Sequence, residues 1–488
     1  MLYSTTPGRS RMYKEIQNIF KLFRIINALA VFDAIFSIKN IKLSPIVLLY
    51  AKIIIFFSSK KHSHLTPGER LCRSLIKLGP SFIKLGQSLA TRSDLIGDKM
   101  AYDLSQLQDK LPPFDFQQAK KTIENELKMP IKKIFKDFQE KPSAAASIAQ
   151  VHFAKTTQGK KVAVKILRPK IEDAFEVDIK FFYWLVNLIE TIKPNIRKLN
   201  LKQIVETFAQ TVKIEMDLRL EAAAAAELKE NFSDHDYFYV PEIDWERTSK
   251  RVLTLERING IKINSRKALL KANKNPDEVL KKCTTALFKQ IFEDGFFHAD
   301  VHPGNQFLDK KGRIAVIDFG IMGRVDFKTR NFLAEILLGF LNGDYTRVAK
   351  IHFRAGYVSK KQSEELFAQA CRAVGEPILK KPASEISIAQ LISRLLKMAG
   401  DFEMETQPQL FLLQKTMLVS EGLGRELNPK INIWELTRPL MEEWLQKNKN
   451  PRKKIEKTVN DIKFALDHFP ELIEKLEALT SQLKREHS

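Results

Sequence analysis

Within Ile291–Phe307 the chain reads His298-Ala299-Asp300-Val301-His302-Pro303-Gly304-Asn305, and thirteen residues after Asn305 stands Asp318-Phe319-Gly320. An apolar run, Ile314-Ala315-Val316-Ile317, leads into that second motif. These residue types in this order suit phosphoryl transfer. One carboxylate, Asp300, can orient or deprotonate an acceptor, while the amide oxygen of Asn305 and the carboxylate of Asp318 can hold Mg²⁺ on the phosphates. Asp-Phe-Gly alone recurs by chance in loops; the joint spacing is the specific part. The same stretch admits another chemistry. His298, Asp300 and His302 alternate, so on an extended segment they share a side and would suit a non-haem iron site in a ring hydroxylase. That reading leaves Lys165, Asn305 and Asp318 without tasks.

The spacing from Asp300 to Asp318 is that of a kinase catalytic loop followed by its metal-binding loop. Upstream, Val162-Ala163-Val164-Lys165 reads as a buried strand ending in a lysine fit to pair with phosphates. Counting back from Val151, fourteen residues before Lys165, the glycine-rich template G-x-G-x-x-G-x-V falls on Ala144, Ala146 and Ala149. A nucleotide-covering hairpin without glycine should be stiff, because alanine does not enter positive φ cheaply. Between these parts, Ile214–Glu221 reads as helix. Asp217 and Glu221 stand four apart on one face, and Glu221 is placed to pair with Lys165. Glu215 lies about 200° from Asp217 on an ideal helix, so if both reach one site the helix must bend or the site must wrap around it. Three carboxylates in seven residues would otherwise be a solvated face.

The elements that must position these residues follow from pattern and punctuation. The 488 residues allow about three units at roughly 150 residues each. An apolar content of 44% supports a real core and excludes a disordered or fibrous chain. Three distant cysteines, Cys72, Cys283 and Cys371, exclude a disulfide scaffold and a thiolate zinc site and suit a reducing compartment. The charge is the outlier: 80 Lys and Arg against 58 Asp and Glu leave +22, which points to an anionic partner. No zinc knuckle, aromatic stripe or basic recognition motif accompanies it, so nucleic acid is not expected.

Residues 1–69 form a basic, apolar N-terminal region with no clear signal peptide. Its stretches Ile16–Ile35 and Leu43–Phe57 are interrupted by charge, so neither supplies the roughly 20 uncharged apolar residues of a spanning helix, and both fit packing on the core or lying at a membrane interface. Residues 70–141 read helical, with turns at Gly79-Pro80 and Pro112-Pro113. Residues 142–259 carry short strands around Gln158-Gly159, two helical stretches, the second Ile204–Asn231, and a strand at Val252–Arg257. Residues 260–445 are mainly helical with one strand-like insert at Arg313–Ile317, and 446–488 form charged amphipathic helices broken at Pro470. The low-complexity run Ala222–Ala226 sits mid-helix as a close-packing surface. The expected fold class is α+β, with the short strands concentrated in residues 142–259 and helices before and after them.

Ala144-Ala145-Ala146-Ser147, Val164-Lys165, Glu215-Met216-Asp217, His298–Asn305 and Asp318-Phe319-Gly320, with Lys84-Leu85-Gly86-Gln87, resemble the UbiB family of atypical kinase-like proteins. The resemblance runs from about Arg70 to Asp326 and implies a bilobal protein-kinase-like fold with a small β-containing N-lobe, a helical C-lobe and an added N-terminal helical domain covering the site. It implies ATP and Mg²⁺ as cofactors, with Lys165 and Glu221 as the phosphate-binding pair, Asp300 as the catalytic carboxylate, and Asn305 and Asp318 as metal ligands. It assigns the nucleotide loop to Ser143, Ala144, Ala145, Ala146, Ser147, Ile148, Ala149, Gln150 and Val151, and the adenine-contacting hinge to Leu255-Glu256. Lys84 and Gln87 would reach into the site from covering helices, with Glu215 and Asp217 as the family's extra acidic pair.

It further implies a lipid-stimulated ATPase or small-molecule kinase supporting ubiquinone biosynthesis. The expected partners are an anionic membrane surface, at the cytoplasmic face of a bacterial inner membrane, and quinone-precursor lipids or the ubiquinone biosynthesis complex. A non-catalytic scaffold binding nucleotide and lipid would carry the same motifs. Two departures stand out: no Ala-Pro-Glu motif follows Gly320, and the paired C-terminal spans of many bacterial members are not seen before Ser488.

Overall fold

The computed structural model describes residues 7–32, 34, 65–90, 96–105, 107, 111–194, 200–379, 387–404, 408–430 and 433–449. The Leu43–Phe57 stretch and the helices expected beyond Pro451 lie outside them. The fold is bilobal and kinase-like. Its small lobe is an antiparallel sheet of β1 (Phe135–Phe138), β3 (Ala149–Thr156), β4 (Lys161–Leu167) and β6 (Val252–Glu256), in that order, with the short β2 (Ala144–Ala145) beside β3. The β3–β4 turn uses Gly159 at φ 86°, as the Gln158-Gly159 pair predicts. Strand alternation splits the sheet's faces. Val162, Val164, Ile166 and Val252 pack with Ala119 and Ile123 of α5 (Phe116–Leu127) and with the short α6 (Ile131–Ile134), while Ala149, Leu167, Leu253 and Leu255 face the other way. Each fully buried Val or Ile is worth about 1.5–3 kcal/mol.

That second face is covered from the N-terminal side. Helix α2 (Pro67–Leu78) opens with a Thr66/Glu69 capping box and ends at Gly79, whose φ of 111° turns the chain into α3 (Pro80–Ala90). Helix α4 (Asp98–Ser105) completes the cover. A Cβ at Gly86 would come within 2.6 Å of Leu75 Cδ1, so glycine there lets α3 lie close on α2. Leu75, Phe82, Ile83, Leu104 and Leu107 share one core with Ile148, Phe175, Phe182 and Phe208. The cover is therefore built into the small lobe's core.

Helix α1 (Pro7–Val31) lies against α7 (Ile171–Ile192): Trp184 donates to Glu15 (2.8 Å), Lys21 pairs with Asp178, and Leu22, Ile25 and Ile26 turn inward. Its other face exposes Ile16, Ile19, Phe20 and Phe23. No helix among the described residues is long and apolar enough to cross a membrane.

The sequence reads Ile204–Asn231 as one helix; the structure breaks it. Helix α8 (Leu201–Glu215) stops, Met216 turns inward, and Asp217 caps α9 (Leu218–Asn231) by accepting the Arg219 N–H. Ala222 and Ala225 of α9 are fully buried, as the alanine run predicts. The large lobe also holds more strands than the single expected insert. β5 (Phe238–Tyr239), β7 (Gly260–Lys262), β9 (Gln306–Asp309) and β10 (Ile314–Val316) form a sheet in the order β5-β10-β9-β7. β8 (Phe296–His298) pairs with β11 (Met322–Arg324). They are two to four residues long, too short to show an alternating pattern. Helices α10 (Arg266–Lys271) and α11 (Pro276–Phe288) precede β8; α12 (Phe327–Leu341), α13 (Tyr345–Ala355), α14 (Glu364–Leu379), α15 (Ile388–Met398), α16 (Pro408–Leu427) and α17 (Ile433–Lys449) follow.

Candidate active site

Strand register sets the upper half of the site. Val151 pairs directly with Lys165, and Lys165 with Leu253, so the residue ending the loop template lies across from the lysine. Lys165 Nζ meets both carboxylate oxygens of Glu221, at 2.8 and 2.9 Å, and Asp318 Oδ1 at 3.2 Å. Asn305 Nδ2 lies 3.3 Å from Asp318 Oδ2. Four residues that the spacing picked out thus form one chain of contacts joining β4, α9, the loop after β10 and the 3₁₀ turn at Pro303–Asn305.

One ammonium serves two carboxylates, and burial decides which holds a charge more readily. Glu221 is 5% exposed, and burial pushes it up to about 7 against the pull of Lys165. Asp318 is 40% exposed; burial acts on it too, but Lys165 and its other partners hold it well below the usual carboxylate range. Lys165 is raised although burial opposes its charge, because Asp318 and Glu221 outweigh that cost. An open, ionised Asp318 with the Asn305 amide on its other oxygen is a hard-donor pair that fits Mg²⁺, which takes its remaining ligands from water and phosphates. The amide would turn its oxygen to the metal.

The lower half is pinned by backbone. His298, the last residue of β8, is buried against the Asp318 turn, its Nδ1 accepting the Asp300 N–H (3.1 Å). Its Nε2 therefore carries the proton and donates to the Asp318 carbonyl. Burial pushes its pKa down, consistent with a neutral ring. Both ring nitrogens are occupied, so His298 is a brace between the two loops; as an iron ligand it would have to give up that brace. Among the described residues no His, Cys, Asp and Glu group has a metal-binding arrangement of three, and His302 spends Nδ1 on the Gly304 N–H (3.0 Å). Phe319, next to Asp318, is buried in one cluster with Leu228 of α9. Asp300 keeps 37% of its side chain exposed.

Other predicted residues take different places. In the hairpin, Ser143 N–H donates to Val151 O (2.8 Å) and Ala146 N–H to Ala149 O (2.7 Å). Arg168 donates to the Ala146 carbonyl (2.8 and 3.1 Å) and to Pro112 O (2.8 Å). None of Ala144, Ala146 and Ala149 has positive φ. Ile148 and Ala149 are buried in the core, and the Gln150 side chain is spent on the Phe114 backbone (3.0 and 3.3 Å). These three side chains are turned into the fold. At the hinge, Glu256 N–H already donates to Glu242 O (2.8 Å) and Arg257 N–H to Lys161 O (3.0 Å), while the Glu256 carboxylate takes the Tyr239 hydroxyl. The Glu256 N–H is thus already paired within the fold.

Glu215 and Asp217 diverge at the helix break. Lys84 Nζ approaches Glu215 Oε2 at 2.8 Å, 11% and 7% exposed, an ion pair without the angle of a directed hydrogen bond. Asp217 instead pairs with exposed Arg219 (2.7 Å) and caps α9. Gln87 donates to Leu107 O (3.4 Å) within the cover.

Against known families, residues 106–352 match the ABC1 atypical kinase-like domain and residues 371–432 the UbiB helical domain. A Marinobacter nauticus protein named probable protein kinase UbiB is 41% identical over 412 residues, 84% of this chain and 75% of its own. The chain belongs to the UbiB family. A Shewanella baltica protein of the same name is 38% identical over 438 residues, 89% of this chain and 80% of its own. A solved Mycobacterium tuberculosis structure, titled as the complex of Rv3197 with erythromycin, aligns over 78% of this chain and 98% of that one at 21% identity; its TM-score of 0.45 is too low to bear on this site.

One residue of this UbiB-family site escaped the sequence reading. Lys415 Nζ, on α16 inside the UbiB helical domain match, lies 2.8 Å from Asp300 Oδ1. Burial raises the Asp300 pKa, and Lys415 more than reverses it, leaving the group below its ordinary value. The available signal was a single cation inside the apolar run Phe411-Leu412-Leu413-Gln414-Lys415-Thr416-Met417-Leu418-Val419.

Proposed function

We propose that the protein binds Mg·ATP between its lobes and passes the γ-phosphoryl group to water or a small lipid-like acceptor, in support of ubiquinone biosynthesis. The observation that carries this is Lys165 bridging Glu221 and Asp318 with Asn305 on the same carboxylate. Lys165 and Glu221 would hold the phosphates from the small lobe, and Asn305 and Asp318 would take Mg²⁺, which neutralises phosphate charge when bound. Asp300 would orient the acceptor hydroxyl. Support for a small acceptor comes from the cover: α2–α4 share the small lobe's core and Lys84 is tied to Glu215 at the break before α9. A protein segment would have to displace that core packing.

Support for a membrane setting comes from α1, whose outward Ile16, Ile19, Phe20 and Phe23 repeat at one-face helical spacing in a chain of net charge +22. Each Lys or Arg near an anionic leaflet adds about 1 kcal/mol. The test is Mg²⁺-dependent ATP turnover with and without anionic vesicles and a quinone-precursor mimic, at low and high salt. Turnover stimulated by anionic vesicles, less so at high salt and less so without residues 1–60, is expected. No Mg·ATP binding would refute the nucleotide reading; binding without turnover under any condition would leave a nucleotide-binding scaffold.

A further inference from the structure

The catalytic-loop sequence His298–Asn305 contains no Lys or Arg. The cation that meets Asp300 arrives from elsewhere in the chain, on α16, which lies beyond the ABC1 match and within the UbiB helical domain match. That helix is fixed along its length. Leu413 is buried with Phe288, Met441 and Trp444, and Leu423 and Leu427 are buried in the cluster that also holds Phe319. Ser387, the cap of α15, donates to buried Glu421 of α16 and ties the two helices together. Lys415 is 17% exposed, so its ammonium is held at the catalytic loop rather than roaming in solvent.

We propose that Lys415 is a positioning residue of the phosphoryl-transfer site, the cation that orients the Asp300 carboxylate, so that the helical domain completes the catalytic loop. This rests on the nucleotide reading above. The pair engages Oδ1 of Asp300, which leaves Oδ2 as the oxygen to meet an acceptor. Without the cation, Asp300 sits beside ionised Asp318 with no fixed rotamer, and the acceptor loses its guide. The same helix shares a core with Phe319, so a shift of α16 would move the Asp300 partner and the support of the metal-binding loop together. The helical domain therefore sets the geometry of the acceptor half of the site, while the phosphate half is set within the small lobe.

The experiment uses the full chain as wild type, Lys415→Met, Lys415→Gln and Lys415→Arg. It reads kcat, KM, the Kd for Mg·ATP and the melting temperature. A misplacement of about 1 Å costs on the order of 100-fold. Lys415→Met and Lys415→Gln should accordingly lose roughly 10–100-fold in kcat with Mg·ATP affinity held within about twofold, because the ion pair of Lys415 is with Asp300, the group that would guide the acceptor. Lys415→Arg should recover most of that loss, since it restores the charge at similar reach. Wild-type kcat in folded Lys415→Met would overturn the inference while leaving the nucleotide site standing. So would parallel loss of kcat, affinity and melting temperature without rescue by Arg, or failure of both neutral variants to fold; each marks a structural strut. A wild type that neither binds nor turns over Mg·ATP would overturn both readings.

Discussion

The Ser143–Val151 hairpin and the loops carrying Asp300 and Asp318 are built in opposite ways. In the hairpin the backbone is cross-bonded, Arg168 clamps the Ala146 carbonyl, and Ile148, Ala149 and Gln150 are buried. In the loops the backbone is pinned by His298, but Asp300 and Asp318 keep 37% and 40% of their side chains open. The template of a kinase expects flexibility above the nucleotide and fixed side chains below it. Here the upper element is held by the Arg168 clamp and the buried Ile148–Gln150 segment, while the lower carboxylates, though paired, keep open surface toward a ligand. The difference teaches that mutations below should act on chemistry, and mutations above on fit and stability.

Asp318→Asn should have the largest effect. It removes a metal ligand and one of the two carboxylates on Lys165, and should lower Mg·ATP affinity beyond the roughly 10–100-fold that losing an outer-sphere partner costs. Turnover should vanish with it. Titration calorimetry with and without Mg²⁺ checks this; unaltered Mg·ATP affinity in a folded variant would remove Asp318 from the site.

Asp300→Asn should cut turnover by about 10²–10⁴-fold, the range of a general base or acceptor guide, and leave Mg·ATP affinity near wild type. The comparison is sharpened by the split between the two aspartates: one loses binding, the other only rate. Equal loss of binding in both would collapse it.

How much of this was legible follows from the reach of each contact. Asp300, Asn305 and Asp318 lie within one loop–hairpin–loop segment, so their spacing in sequence nearly fixes their spacing in space. Lys165 and Glu221 come from separate elements, yet a strand ending in Lys and a helix rich in carboxylates limited the choices. Lys415 was not legible, because nothing local to α16 says which loop its face will meet. The break at Met216-Asp217 carries neither Gly nor Pro; it depends on burying Met216 and on Leu218 N–H reaching Lys250 O (2.9 Å), both long-range. Gln150 reads as a loop residue until its amide meets Phe114, thirty-six positions away.

Gly86→Ala tests the cover without touching the nucleotide cluster. The new methyl would lie 2.6 Å from Leu75 Cδ1, and because Leu75 is buried the overpacking should cost about 1–3 kcal/mol. The expected readout is a lower melting temperature with Mg·ATP affinity largely kept. A loss of affinity as large as that of Asp318→Asn would mean that the cover helps form the phosphate site itself.

Ala146→Gly should have the smallest effect, and it tests the upper element directly. Ala146 occupies a glycine position of the kinase template but has no positive φ, so glycine relieves no strain there. Its cost should be the added freedom of the unfolded chain, about 0.5–1 kcal/mol. The Arg168 clamp and the burial of Ile148 remain, so the native hairpin should persist with only a slightly looser turn. If that turn covers nucleotide, Mg·ATP and Mg·ADP affinities should change by a few-fold and unequally, because the two ligands differ only at the γ-phosphate. Pairing it with Arg168→Ala, which frees the Ala146 carbonyl, should enlarge the same change. Calorimetric titration with both nucleotides, alongside thermal melts, separates the outcomes. A purely thermal effect, with both affinities unaltered in the double variant as well, would mean that the hairpin closes the small lobe's core and does not cover the nucleotide.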